Sequence, residues 1–107
     1  MRVLRIGTLP GEIEWLDIGG SLEDFQKLVD GYIEPCAPIQ LKQEGIELLA
    51  NEEGLLKGLP LNSNMAPFFF VGDLVAVGVD YQEETFTGLN DYQVRFLIDW
   101  IYRLKLV

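Results

Sequence analysis

Between Phe70 and Val79 runs FVGDLVAVGV, almost wholly apolar and rich in β-branched residues. It is far shorter than the roughly 20 residues needed to cross a bilayer. Its residue types favour a pleated conformation, so it is expected to be a buried strand. A buried strand needs partners on its edges and cover on its faces. The other segments of the 107-residue chain have to supply both. Apolar residues make up 49% of the chain, enough for one modest core, and one globular domain over residues 1–107 is expected.

The opening VLRIGT alternates and reads as a first strand. LPGE is a turn, and EIEWLDI sets Ile13 and Trp15 against Glu12, Glu14 and Leu16, a second strand completing a hairpin. GGSLEDFQKLVDGY reads as a helix with Ser21 as N-cap, Glu23 and Asp24 at its positive end, and Gly31 as a positive-φ stop. Leu22, Phe25, Leu28 and Val29 form its expected core face. YIEPCAPIQL carries Pro35 and Pro38, which fits an edge strand or a strand broken by a bend. IELLAN is another strand, EEG a turn, and LLKGL a short returning strand. LPLNSNMAPFFF is turn-rich, with room for one helical turn. Thr85 to Thr87 reads as a last short strand. Asn90 and Gln93 form a capping box for a closing helix whose face holds Val94, Leu97, Ile98, Ile101 and Leu104, with Arg103 and Lys105 near its negative end. The order β-β-α-β-β-(β)-β-α gives an α+β fold: a mainly antiparallel sheet with two helices packed on it.

Charge and rare residues narrow the chemistry. The 17 acidic residues outnumber 8 basic ones, for a formal charge of −9. Such a chain repels nucleic-acid backbones and anionic membranes, so neither is an expected partner. The acidic balance suits a cationic protein partner, or a row of carboxylates standing where a partner expects phosphates. There is no histidine and one cysteine, Cys36. Imidazole-based triads and most zinc sites are therefore excluded, and no intrachain disulfide can form. Cys36, in EPCAP, reads as a small apolar filler or a half-exposed thiol near a turn. No catalytic residue, metal site or cofactor is assigned. The first residues carry no signal-peptide core, which fits a cytoplasmic protein.

The segment NEEGLLKGLPLN, Asn51 to Asn62, carries two readings. As structure it is a hairpin turn with Gly54 at positive φ, followed by a strand and a Pro-fixed exit. As a site, the uncharged amides of Asn51, Asn62 and Asn64, beside Glu52 and Lys57, could read the edge of a base or sugar. Tyr32 and Glu34 complete that candidate ligand set. Glu34, Glu52, Glu53 and Asp73 are the carboxylates available for hydrolysis. GGSLED offers a helix N-terminus, but Glu23 and Asp24 already occupy its positive end. In Phe68, Phe69 and Phe70, successive side chains alternate, so at least one must be exposed or covered by another chain. With Trp15 they form a candidate interface, and a homo-oligomer is expected.

The series SLEDFQKLVDGYIE, NEEGLLKGLPLN, FVGDLVAVG and FTGLNDYQ resembles the family catalogued as domain of unknown function 3846. The resemblance rests on Gly31 to Glu34, Asn51 to Gly54, Leu59, Pro60 and Asn62, Gly72 and Gly78, and Leu89 to Asp91. It spans roughly Ser21 to Asp99 and departs from the pattern at MAPFFFVG and around Cys36. It implies an accessory protein of a phage, plasmid or integrative element with no assigned catalysis. In a phage setting the location would be the host cytoplasm. Three functions follow in order. The first is an oligomeric anti-defence binder that sequesters a nucleotide-type small-molecule signal. It would need Arg2, Arg5, Lys57 or Arg95 gathered locally. The alternative is an acidic interaction module or DNA mimic that blocks a basic host protein. The third is a carboxylate-dependent hydrolase.

Overall fold

The computed structural model describes residues 1–104. The opening hairpin is β1 (Arg2–Ile6) and β2 (Ile13–Asp17), with Val3 opposite Leu16 and Leu4 opposite Trp15. Helix α1 (Leu22–Val29) follows, then β3 (Ile33–Pro35), α2 (Ile39–Lys42) and β4 (Ile46–Asn51). After a 3-10 turn at Ser63–Met65 come β5 (Leu74–Asp80), β6 (Thr85–Thr87) and α3 (Asp91–Leu104). The sheet order is β2-β1-β5-β4-β3, with β6 paired to the far part of β5. Every pairing is antiparallel. The fold is thus the α+β arrangement expected from the sequence, with a mainly antiparallel sheet.

The run at Phe70–Val79 becomes β5, the middle strand, and Leu74 through Gly78 are all buried. Its alternate side chains serve two cores, as the two-residue period of a strand requires. Leu74 and Ala76 join Leu4, Ile6, Ile46 and Leu48 beneath α2 and α3, where Leu41, Leu97 and Ile101 are buried. Val75 and Val77 join Val3 and Leu49 beneath α1, where Phe25 and Val29 are buried. Burying each such side chain is worth about 1.5–3 kcal/mol, which makes a continuous apolar run stable only at the centre of a covered sheet.

The helix starts follow their caps. Ser21 and Asp24 form a reciprocal capping box at α1. At α3 the Asn90 N–H donates to Gln93 Oε1 and the Gln93 N–H to Asn90 Oδ1. Gln93 also donates from Nε2 to the Glu44 and Gly45 carbonyls, tying α3 to the loop before β4. Arg103 pairs with Asp99 one turn back at 2.9 Å, and Lys105 lies outside the described residues.

Several elements differ from the sequence expectation. LLKGL is not a strand: residues 52–58 form consecutive turns, because both edges of β4 are taken by β3 and β5. The short helix α2 occupies Ile39–Lys42 inside the segment read as edge or broken strand, with the Leu41 and Lys42 N–H groups donating to the Pro38 carbonyl. Only Ile33–Pro35 forms the edge strand. The left-handed stop of α1 is Asp30, at φ 58, and not Gly31. Gly31 is needed for space instead: a Cβ there would lie 2.6 Å from Asn51 Nδ2. Gly54 likewise has no positive φ, and a Cβ there would come within 2.8 Å of Val71 Cγ2. Leu22, placed in the core by its spacing, is exposed, because α1 meets the sheet through Phe25 and Val29.

Candidate functional site

At one end of the sheet, beyond the last residues of β4, an open cleft of about 480 Å³ lies between the 52–58 turns and the segment Phe69–Val71. Asn51 builds its base. Its Nδ2 donates to the carbonyls of Val29 (3.1 Å) and Asp30 (2.9 Å), and its Oδ1 accepts the Glu53 N–H at 2.8 Å. The side chain therefore fixes both the end of α1 and the start of the turn. Bonds from Lys57 N to Glu53 O, Gly58 N to Leu55 O and Leu59 N to Gly54 O then close residues 53–59 into a compact knot. Gly54 lets that knot sit directly on Val71.

The opposite wall is the end of a closed loop. Leu61 bridges Val71, the Asn62 N–H donates to the Phe70 carbonyl, and the Gly72 N–H donates to the Pro60 carbonyl. Two buried asparagines fill the loop. Asn62 donates from Nδ2 to the carbonyls of Ile6 and Gly72 at 3.0 Å each, and accepts from the Asn64 N–H. Asn64 donates to the carbonyls of Gly7 and Leu9 at 2.7 Å each, and accepts from the Gly11 N–H. Phe68 lies between Phe70, on which it stacks with ring centroids 6.0 Å apart, and Trp100, whose ring is tilted against it at 5.5 Å.

Three apolar side chains stand out into solvent around the opening: Leu55 is 71% exposed, Leu56 89% and Phe69 73%. Ala50, Phe70 and Val71 supply further apolar lining, and Glu34 and Glu52 supply carboxylates. Cys36 also lines the cleft; burial, then the charges of Glu47 and Glu34, push its thiol up to about 12. It is a protonated, weakly nucleophilic group at neutral pH. Among the described residues, no lysine or arginine lines the cleft.

Of the ligand candidates read from the sequence, Glu34, Asn51 and Glu52 meet here. Tyr32 and Lys57 are exposed nearby but do not line it. Asn62 and Asn64 lie behind the wall with their amides spent on backbone groups. The interface candidates divide. Phe69 and Phe70 line the cleft and Phe68 supports it, whereas Trp15 is on β2, at the other outer strand of the sheet. Leu55 and Leu56 were not in the candidate set; the signal for them is a pair of leucines in a turn bounded by Gly54 and Gly58, too short to bury both.

The cations are dispersed. Arg5 is held by Asp73 at 2.7 Å, Glu12 at 2.9 Å and Glu14 at 3.6 Å. The hydrogen bond to Asp73 is the chief reason its pKa is raised. Arg2 bonds the Leu89 carbonyl and Asp91. Arg95 lies on the exposed side of α3. Among the described residues, no group of three or more acidic or cysteine side chains is placed to hold a metal ion, and no helix is long and apolar enough to cross a membrane.

These features define a small α+β protein: one antiparallel sheet, helices on both faces, and an apolar cleft bordered by carboxylates. The family described as Domain of unknown function (DUF3846) matches residues 1–102, and the chain belongs to that family. Comparison with curated proteins and with solved structures gives no match.

Proposed function

We propose that the chain is a non-catalytic binding module whose cleft takes an apolar segment of a basic partner protein. The observation that carries this reading is the conjunction of Leu55, Leu56 and Phe69, all exposed, with Glu34 and Glu52 in one opening. Large exposed apolar side chains gathered around polar groups are costly to leave in water and mark interaction surfaces. The two carboxylates, with a net charge of −9, select for lysine or arginine beside the apolar anchors and steer such a partner inward. This is the acidic interaction module among the functions considered above. It fits the setting implied by the family resemblance, an accessory protein of a mobile element acting on a host protein. A nucleotide-type signal would bring phosphates, and the cleft offers them carboxylates without a lining cation.

The test uses three labelled peptides: leucine with lysine, leucine with glutamate, and serine with lysine. Fluorescence anisotropy should show binding of the first alone. Burying a Phe or Leu side chain is worth about 1.5–3 kcal/mol, so Phe69→Ser or Leu56→Ser should weaken binding about tenfold or more. Both side chains are exposed, so the fold should survive their loss. Equal binding of the serine–lysine peptide would reduce the effect to charge alone and overturn the cleft reading.

A further inference from the structure

The two strands that end the β2-β1-β5-β4-β3 order are unequal. Along β3, the bonds Glu52 N to Tyr32 O and Cys36 N to Leu48 O show that Tyr32, Glu34 and Cys36 face β4. Ile33 and Pro35 therefore face outward, and Pro35 has no N–H to offer. That edge is blunted. Along β2, the bonds Gly7 N to Glu12 O and Ile18 N to Met1 O put Glu12, Glu14, Leu16 and Ile18 toward β1. Ile13, Trp15 and Asp17 consequently turn their backbone groups away from the sheet. The Ile13 N–H is used within the turn, by Gly11 O. Among the described residues, no hydrogen bond reaches the N–H of Trp15 or Asp17.

We infer that β2 is a homodimerisation edge, on which a second copy of this chain pairs antiparallel about a two-fold axis at Trp15. The sequence of β2 selects this partner and this register. Centring on Trp15 pairs Trp15 with the second copy's Trp15, Ile13 with its Asp17, and Glu14 with its Leu16, so that no carboxylate faces another directly. A centre at Glu14 or Asp17 would set identical carboxylates opposite each other, and a centre at Ile13 would set Glu12 against Glu14. A centre at Leu16 leaves Ile13 outside the strand-to-strand ladder. Only the Trp15 centre uses all of Ile13–Asp17 without a like-charge pair. Trp15 exchanges both of its outward hydrogen bonds with its own copy, and Asp17 N–H reaches the copy's Ile13 carbonyl. The indole, now 41% exposed, is covered by its twin on the same face as Leu4.

This pairing is independent of the cleft, which lies beyond the other side of the sheet. Sedimentation equilibrium between about 1 and 200 µM covers the range in which so small an interface exchanges. It should show monomer and dimer, with Trp15→Lys monomeric, Phe69→Ser unchanged, and circular dichroism showing both folded. A Trp15→Cys variant in a Cys36→Ser background should form a disulfide-linked dimer on mild oxidation, because Cα atoms in such a hydrogen-bonded pair lie about 5.5 Å apart. Asp17→Cys in the same background should not, since the proposed register separates its two copies by about 13 Å along the strands. A protein monomeric throughout the range, a dimer that Trp15→Lys leaves intact, or cross-linking through Asp17→Cys in preference to Trp15→Cys would each overturn the inference.

Discussion

Replacing Asn62 by alanine separates a scaffold role from a ligand role at the segment that first looked like a site. Asn62 is fully buried, and its amide serves three backbone groups: the carbonyls of Ile6 and Gly72 and the N–H of Asn64. Each buried group left without a partner costs about 1–3 kcal/mol. The lower end applies here, because a carbonyl keeps a second lone pair and water can enter the vacated space. The sum is about 3 kcal/mol, a large share of the 5–15 kcal/mol that holds a typical domain together. Urea unfolding should therefore shift to a lower midpoint at unchanged slope. Thermal unfolding should fall by about 12–24 °C, from about 4–8 °C per kcal/mol at this size. Ser63→Ala is the control: Ser63 is exposed and its hydroxyl makes one bond, to the Thr8 carbonyl that the Ser63 N–H also reaches, so loss of the hydroxyl should cost under about 1 kcal/mol. A loss of less than about 1 kcal/mol in Asn62→Ala would show that the amide does not hold the loop.

Three further expectations follow from the same structure. Gly31→Ala should destabilise by about 1–3 kcal/mol in urea titrations, because the new Cβ meets an Asn51 amide already pinned by its own bonds. Cys36, with its thiol at about 12, should react with a disulfide reagent at pH 8 about a thousandfold more slowly than a thiol near 8.5, and normally in urea; fast labelling of the folded protein would contradict the burial. The Asp24 carboxyl is held below its usual range, first by the Ser21 backbone N–H and then by the Ser21 hydroxyl. The stability it adds over Asp24→Asn should thus be full above about pH 4 and fade as pH falls through its lowered folded value. Paired urea melts from about pH 3 to 6 measure this, and a gap that widened on acidification would reverse the sign.

The elements that were legible in the sequence are those whose evidence is local. The run at Phe70–Val79 announces a buried strand whatever surrounds it, and Ser21–Asp24 and Asn90–Gln93 mark helix starts within a few residues. The errors arise where the outcome depends on distant chain. LLKGL has the composition of a strand, but a strand needs a free edge, and β4 has none between β3 and β5. Leu22 has the spacing of a core residue, yet whether it is covered depends on where α1 meets the sheet. The helix α2 was hidden by Pro35 and Pro38, which read as strand breakers. Its signal was present, since Pro38 precedes a run of helix-forming residues that ends at Gly45, a glycine with φ 70.

The candidate site shows the same limit in its chemistry. An asparagine amide that recognises a ligand and one that ties a loop to a strand use identical donors and acceptors. What separates them is which carbonyls arrive within hydrogen-bond reach, and for Asn51, Asn62 and Asn64 those belong to residues 10 to 57 positions away. Once the three amides are committed to backbone, the 51–62 segment has polar side chains left at Glu52, Glu53 and Lys57, and its most exposed apolar side chains are Leu55 and Leu56. The buried polar residues therefore build the cleft, and the exposed apolar residues border its opening. That inversion of the usual inside and outside is the physical argument for placing the site at Leu55, Leu56 and Phe69 instead of at the asparagines.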